Sequence, residues 1–127
     1  MIGSVSAESV LVGREEGLHL EDAAAFDTWL AANGASAREL WVVIFKKSSH
    51  KQSVTFHALL EVALTRGWVD VQTKGIDDER YGIRFVARKP GSNWSATNRK
   101  IVKRLIADGR MHEAGKARLP ADLFADE

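Results

Sequence analysis

The sequence predicts an α+β fold, a small and mostly antiparallel sheet packed by about three main helices in a single domain. Three observations carry that expectation. Apolar stripes at helical spacing alternate along the chain with short runs of β-branched and aromatic residues. Two of the strand-like runs follow one another with only a turn between them, which breaks the strand-helix alternation of a parallel α/β sheet. Finally, 127 residues that are 45% hydrophobic and 28% charged suffice for one compact core and leave no room for a second.

Taken in order, Met1 to Val12 is short, rich in Ser and Val and without a basic residue, so it reads as a fraying segment rather than a secretory leader. Residues 1–17 are accordingly assigned to a flexible N-terminal segment, and 18–127 to the domain. Leu18, His19 and Leu20 alternate as an edge strand does. Phe26, Trp29 and Leu30 then recur at helical spacing between Asp22 and Asn33. Asp22 is the expected cap, acidic residues cluster in the first turn, and Gly34 suits a left-handed stop.

Leu40 to Phe45 is a continuous apolar run, too short for a buried helix and rich in β-branched and aromatic residues, as in a central strand. Lys46 and Lys47 mark its exit to solvent. A helix from Phe56 to Arg66 follows, with Thr55 as cap, Gly67 as stop and Phe56, Leu59, Leu60, Ala63 and Leu64 on one face. Val69 and Val71 alternate with Asp70 and Gln72. After a turn over 74–79, Tyr81, Ile83, Phe85 and Ala87 alternate with Arg84, Val86 and Arg88, which completes a hairpin. Lys89, Pro90, Gly91 and Ser92 punctuate the chain before a third helix. Ser95 caps that helix, Ile101, Val102, Leu105 and Ile106 face inward, and Gly109 ends it. Between Met111 and Phe124 the pattern allows a short helical piece before the break at Pro120.

Eighteen basic against seventeen acidic residues exclude a uniformly polyanionic or polycationic chain, and the absence of cysteine excludes disulfide or thiolate chemistry. The charge is nonetheless uneven. Between Arg80 and Arg110 stand nine basic residues and one acid, leaving nine basic and sixteen acidic residues elsewhere. Arg84 and Arg88 share one face of a strand, and the loop after Lys89 leads to a helix whose free amides favour anions. Arginine forks beside a helix start suit phosphate or carboxylate. The plainer reading of Arg99, Lys100, Lys103 and Arg104 is the solvated face of an amphipathic helix.

Asp70, Asp77 and Asp78 are the candidate acidic residues for acid-base work or a hard cation, with turn chemistry as the simpler reading of the Asp77-Asp78 pair. His19, His50, His57 and His112 lack metal-ligand spacing, so no metal or cofactor is expected. No serine has the Gly-x-Ser-x-Gly context, and no phosphate-binding glycine motif is present. Trp29, Trp41 and Trp68 read as core; Trp94 either staples its helix or stacks on a ligand. No apolar run reaches the roughly 18 residues of a membrane helix, so no membrane span and a cytoplasmic location are expected.

Glu39-Leu40-Trp41-Val42-Val43, Lys46-Lys47, Gly67-Trp68-Val69-Asp70, Asp77-Asp78-Glu79-Arg80-Tyr81, Arg84-Phe85, Arg88 to Ser95 with Asn98, and Leu105 to Met111 lie in an order and spacing that resemble the bacterial bacteriocin-protection, YdeI/OmpD-associated family. The likeness spans most of 18–124. It implies a stress-associated role, resistance to cationic antimicrobial peptides and a proposed outer-membrane-protein partner, with no assigned reaction. Val71 replaces a glycine usual in that family, and longer members continue into a lysine- and arginine-rich C-terminal region that this chain, ending at Glu127, does not include.

The resulting expectation is a domain that binds rather than catalyses. Its surface for a small anionic ligand or a protein partner is formed by Arg80, Tyr81, Arg84, Arg88, Lys89, Ser92, Trp94, Ser95 and Asn98. An enzyme acting on a small anionic substrate with Asp70 or Asp77 as base, and a nucleic-acid-binding module, are the alternatives.

Overall fold

The elements follow one another as β1 (Ala7–Val12), β2 (Glu15–Leu20), α1 (Ala23–Asn33), β3 (Glu39–Phe45), a 3₁₀ turn (Lys47–Ser49), α2 (Phe56–Thr65), β4 (Trp68–Gly75), β5 (Arg80–Ala87), α3 (Ala96–Ala107) and the single turn α4 (Glu113–Lys116). They are seen in a computed structural model that describes residues 7–12, 15–20, 22–51, 54–89 and 94–119. The sheet has five strands in the order β1-β2-β3-β5-β4. Only the β2–β3 pairing is parallel, with α1 as the crossover; β1–β2, β3–β5 and β4–β5 are antiparallel. The expected α+β architecture with three main helices is therefore the observed one.

Alternation along β3 and β5 decides where the core lies. Leu40, Val42 and Ile44 point to the same face as Ile83 and Phe85, and there Phe26 and Leu30 of α1 and Leu59 and Ala63 of α2 close over them. Phe26 meets Phe85 at a centroid distance of 4.9 Å, and Trp29 stands edge-on to Trp68 at 6.0 Å. A second cluster forms where α3 packs on α2, with Val102 and Leu105 against Leu60, Leu64, Val69 and Met111. On the reverse face Trp41 and Val43 pack with Ile76. Trp41 and Trp68 are buried and Trp29 packs against the first cluster, as core residues should. No helix among the described residues is long and apolar enough to cross a membrane.

The caps were legible. Asp22 accepts from the Ala25 amide at 2.8 Å, Thr55 from Ala58 at 3.1 Å and Ser95 from Asn98 at 3.1 Å. Each satisfies one of the amides that a helix start leaves open.

Other expectations need correction. Residues 7–12 and 15–17, assigned to a flexible segment, lie in the paired strands β1 and β2, whose register runs from Ala7 opposite Leu20 to Val12 opposite Glu15. Leu18 to Leu20 is consequently not an edge; β2 lies between β1 and β3. The lone fragment carries no sign of either partner, because hairpin pairing is satisfied across strands and not within them. No acid falls inside the first turn of α1. Gly34 is right-handed, with φ −62°, and its role is room: a Cβ there would stand 2.6 Å from the Leu30 carbonyl oxygen. Val71 does not share the environment of Val69. The register of β4 on β5 slips between Asp70 and Gln72, so Val71 is the extra residue of a bulge, half exposed where Val69 is buried. Pro120 and Phe124 lie outside the described residues.

Two glycines end helices with positive φ, Gly67 at +82° and Gly109 at +70°. A Cβ at Gly109 would meet nothing, whereas one at Gly67 would press on Arg118 Cδ at 2.7 Å and the Ala114 carbonyl at 3.0 Å. Gly109→Ala should therefore cost the backbone strain alone, about 1 kcal/mol, and Gly67→Ala roughly 2–3 kcal/mol because α4 must also shift. Urea unfolding of the two variants measures the difference, and equal losses would contradict the packing of Arg118 against Gly67.

Candidate functional site

β5 carries the basic residues that the sequence marks as a binding surface, and its length separates them. At about 3.3 Å per residue the two ends of this eight-residue strand stand roughly 23 Å apart. Arg80 and Tyr81 lie at the hairpin end; Arg88 and Lys89 lie just past the other. The expected single surface is two places.

At the hairpin end Asp77 organises the turn. Its Oδ1 accepts from the Glu79 and Arg80 amides at 2.9 and 2.8 Å, while its Oδ2 accepts from Arg80 Nε at 3.0 Å and Nη2 at 2.8 Å. Arg80 above all, then the Glu79 amide, holds the Asp77 carboxyl down to about 2. Lys46 Nζ donates to the Asp77 carbonyl at 2.9 Å, and Lys51 pairs with Glu79 at 2.8 Å. Arg80 and Asp77 thus serve each other. Tyr81 turns its ring to the first core cluster, where burial raises its phenol pKa. Neither Arg80 nor Tyr81 joins the surface expected of them, and the turn reading of Asp77 and Asp78 accounts for the geometry.

The opposite end is where the chain converges. The Arg88 amide donates to the Gly67 carbonyl at 2.8 Å, its carbonyl accepts from Arg118 Nη1 at 2.8 Å, and its guanidinium carbon lies 3.9 Å from the centre of the Trp94 ring. Arg88 is only 7% exposed, and desolvation lowers its pKa from the usual arginine value. A buried cation is tolerable over an aromatic face, which replaces part of the lost hydration. Trp94, which also packs on the second core cluster, therefore has one face taken by Arg88.

Around this junction lies a cleft of about 710 Å³ between the paired β4 and β5, the start of α2 and the start of α3. Phe56, Leu60, Val69 and Val86 supply apolar walls. Arg88 and Lys89 stand on one side, Ser95, Thr97 and Asn98 on another, and Asp70 also reaches the cleft. Arg88, Lys89, Ser95 and Asn98 thus come together as expected, with Asp70 among them and Trp94 beneath Arg88. Ser92 lies outside the described residues.

A neighbouring cleft of about 640 Å³ holds Arg84 together with Arg38 and Arg118. Arg84 Nε donates to Glu39 at 2.6 Å. Sequence reasoning missed Arg38 and Arg118, because neither belongs to the basic segment. Strand register brings the first, since Ala87 donates to the Arg38 carbonyl at 3.2 Å; the docking of α4 brings the second. Gly115 marks that docking, because a Cβ there would run into the Thr65 carbonyl. No local sequence signal announces either contact.

Residues 18–118 match a family described as a domain of unknown function (DUF8412), and the chain belongs to that family. No curated protein and no solved structure matches it.

The Asp77 turn gives a titration with a defined sign. A carboxyl whose folded value lies below its ordinary 3.8 contributes stability above that value, and the contribution disappears as pH falls toward about 2. In a carbon-detected NMR titration the Asp77 carboxyl should have its midpoint near 2, and Arg80→Ala should return it toward 3.8. A wild-type midpoint near the ordinary value would show that the Arg80 fork does not form in solution.

Proposed function

We propose that this member of DUF8412 is a binding protein rather than a catalyst, and that its ligand is a small anion-bearing molecule held in the cleft between β4, β5, α2 and α3. One observation carries the reading: a single cleft joins an apolar floor to Arg88, Lys89 and the capped start of α3. Apolar walls with a few convergent polar groups are what small-molecule sites share. The cations and open amides favour an anion, and Phe56, Leu60 and Val69 favour a ligand with an apolar part.

The resemblance to the bacteriocin-protection, YdeI/OmpD-associated family supports a stress-associated setting for this binding, with a cytoplasmic location and a protein partner as parts of the same proposal. Asp70 is the observation that favours an enzyme as a second reading, since its carboxylate shares the cleft with Arg88 and Lys89. In that case Asp70→Asn would abolish turnover of a small anionic substrate without abolishing its binding.

The test is an amide chemical-shift titration of the protein with n-hexyl phosphate. Saturable shifts should gather at 69–71, 86–89 and 95–98, and Lys89→Ala should weaken the affinity several-fold, by an amount of the order of one charge-assisted hydrogen bond. Shifts confined to the outer face of α3, or lost together at moderate salt, would argue for a diffuse surface effect instead.

A further inference from the structure

Resting on that reading of the cleft, we infer that the ligand is an amphiphile with a multiply charged head of the diphosphate class, its apolar body in the first cleft and its head in the second. The two clefts are contiguous. They share Val71, the Val86–Ala87 edge of β5, Arg88 and Lys89, and the bulge that turns Val71 outward sets it where they meet. Their linings are unlike. The first has its floor of Phe56, Leu60 and Val69; the second gathers Arg38, Arg84, Arg88, Lys89 and Arg118 with no acid among the described residues lining it. Glu39 pairs with Arg84, and Asp70 lines the first cleft beside Arg88 and Lys89.

Five cations drawn from the start of β3, from β5 and from the end of α4 repel one another across a concave, partly desolvated space. A single negative charge would leave most of that repulsion in place. Two linked phosphoryl groups bring several charges and enough oxygens to meet more than one guanidinium bidentately, which a carboxylate cannot do. Part of the arrangement is set before any ligand arrives, since Arg88 is stacked on Trp94 and Arg118 is hydrogen-bonded to the Arg88 carbonyl. Such preorganisation lowers the ordering cost of binding. The cations converge on one hollow beside an apolar cleft instead of running in a line, which suits a compact head and not a polymer backbone.

Calorimetric titration of the whole chain with n-hexyl phosphate, n-hexyl diphosphate, inorganic pyrophosphate and a 20-nucleotide single strand tests this. The expected result is that hexyl diphosphate binds about tenfold or more tightly than hexyl phosphate and than pyrophosphate, one comparison reading the head and the other the body. Arg38→Ala, at an exposed position, should remove most of the preference for diphosphate while changing hexyl phosphate affinity by no more than about twofold. Arg84→Gln is the second variant and should act in the same direction. Equal affinity for the two hexyl compounds would overturn the inference and leave the anion cleft standing; no affinity for either would overturn both. An oligonucleotide that binds more tightly than hexyl diphosphate and displaces it would overturn the inference in favour of nucleic acid.

Discussion

The register of β5 between β3 and β4 is the constraint on which the rest of the molecule depends. Ile83 pairs with Val42 and Phe85 with Leu40, which sends both side chains into the space closed by α1 and α2. A slip of one residue would carry Arg84 into that space and Phe85 out of it. The cost of burying an unmatched guanidinium far exceeds any single contact elsewhere, so hydrophobic patterning and charge patterning enforce the same register. That register also sets Arg84 on the reverse face, brings Arg38 beside Ala87 and delivers Arg88 to the foot of β4.

Arg88 then carries the constraint from the sheet to the helices. Its backbone closes the sheet onto Gly67, its carbonyl holds Arg118, and its side chain rests on Trp94 immediately before α3. These three contacts reach separate parts of the chain. Gly67 must be left-handed for α2 to turn into β4 at that point, and it must lack a Cβ for Arg118 to pass. The buried arginine is thus a structural joint as well as a wall of both clefts. Burial lowers its pKa but leaves it a cation across the physiological range. Positive charge at the joint is a property of the fold and not of a mobile surface chain.

Much of this was legible from residues alone, and the failures have definite causes. Caps at Asp22, Thr55 and Ser95 could be read because capping is chemistry within three residues. The central position of Leu40 to Phe45 could be read because a strand buried on both faces is apolar throughout. The β1–β2 hairpin, the bulge at Val71 and the non-helical reason for Gly34 could not. Each is decided by a partner distant in the chain or by a close approach of backbone that leaves no periodic trace. The site divides the same way. Arg88, Lys89, Ser95 and Asn98 are near in sequence and near in space, while Arg38 and Arg118 join them only through strand register and the seating of α4 on Thr65. Arg80 and Tyr81 were drawn into the expected surface by proximity in sequence, yet a strand carries its two ends far apart.

The two ends of β5 also explain how a nearly neutral chain can present one strongly basic hollow. At the hairpin, every cation named above has an oxygen partner close by in the fold: Arg80 has Asp77, Lys46 the Asp77 carbonyl and Lys51 Glu79. Elsewhere Arg66 is matched by Asp27 and Arg110 by Glu61. Asp27, Glu61, Asp77 and Glu79 are held in such pairs, and exposed pairs of this kind add little stability each. Their larger consequence is electrostatic. By neutralising basic residues at the hairpin and beside α2, they leave the far end of β5, where Arg38, Arg84, Arg88, Lys89 and Arg118 line one cleft, as a place where positive potential gathers. An anion drawn to this end of the protein meets a neighbouring cleft with apolar walls, so the charge distribution and the shape of the fold favour the same region.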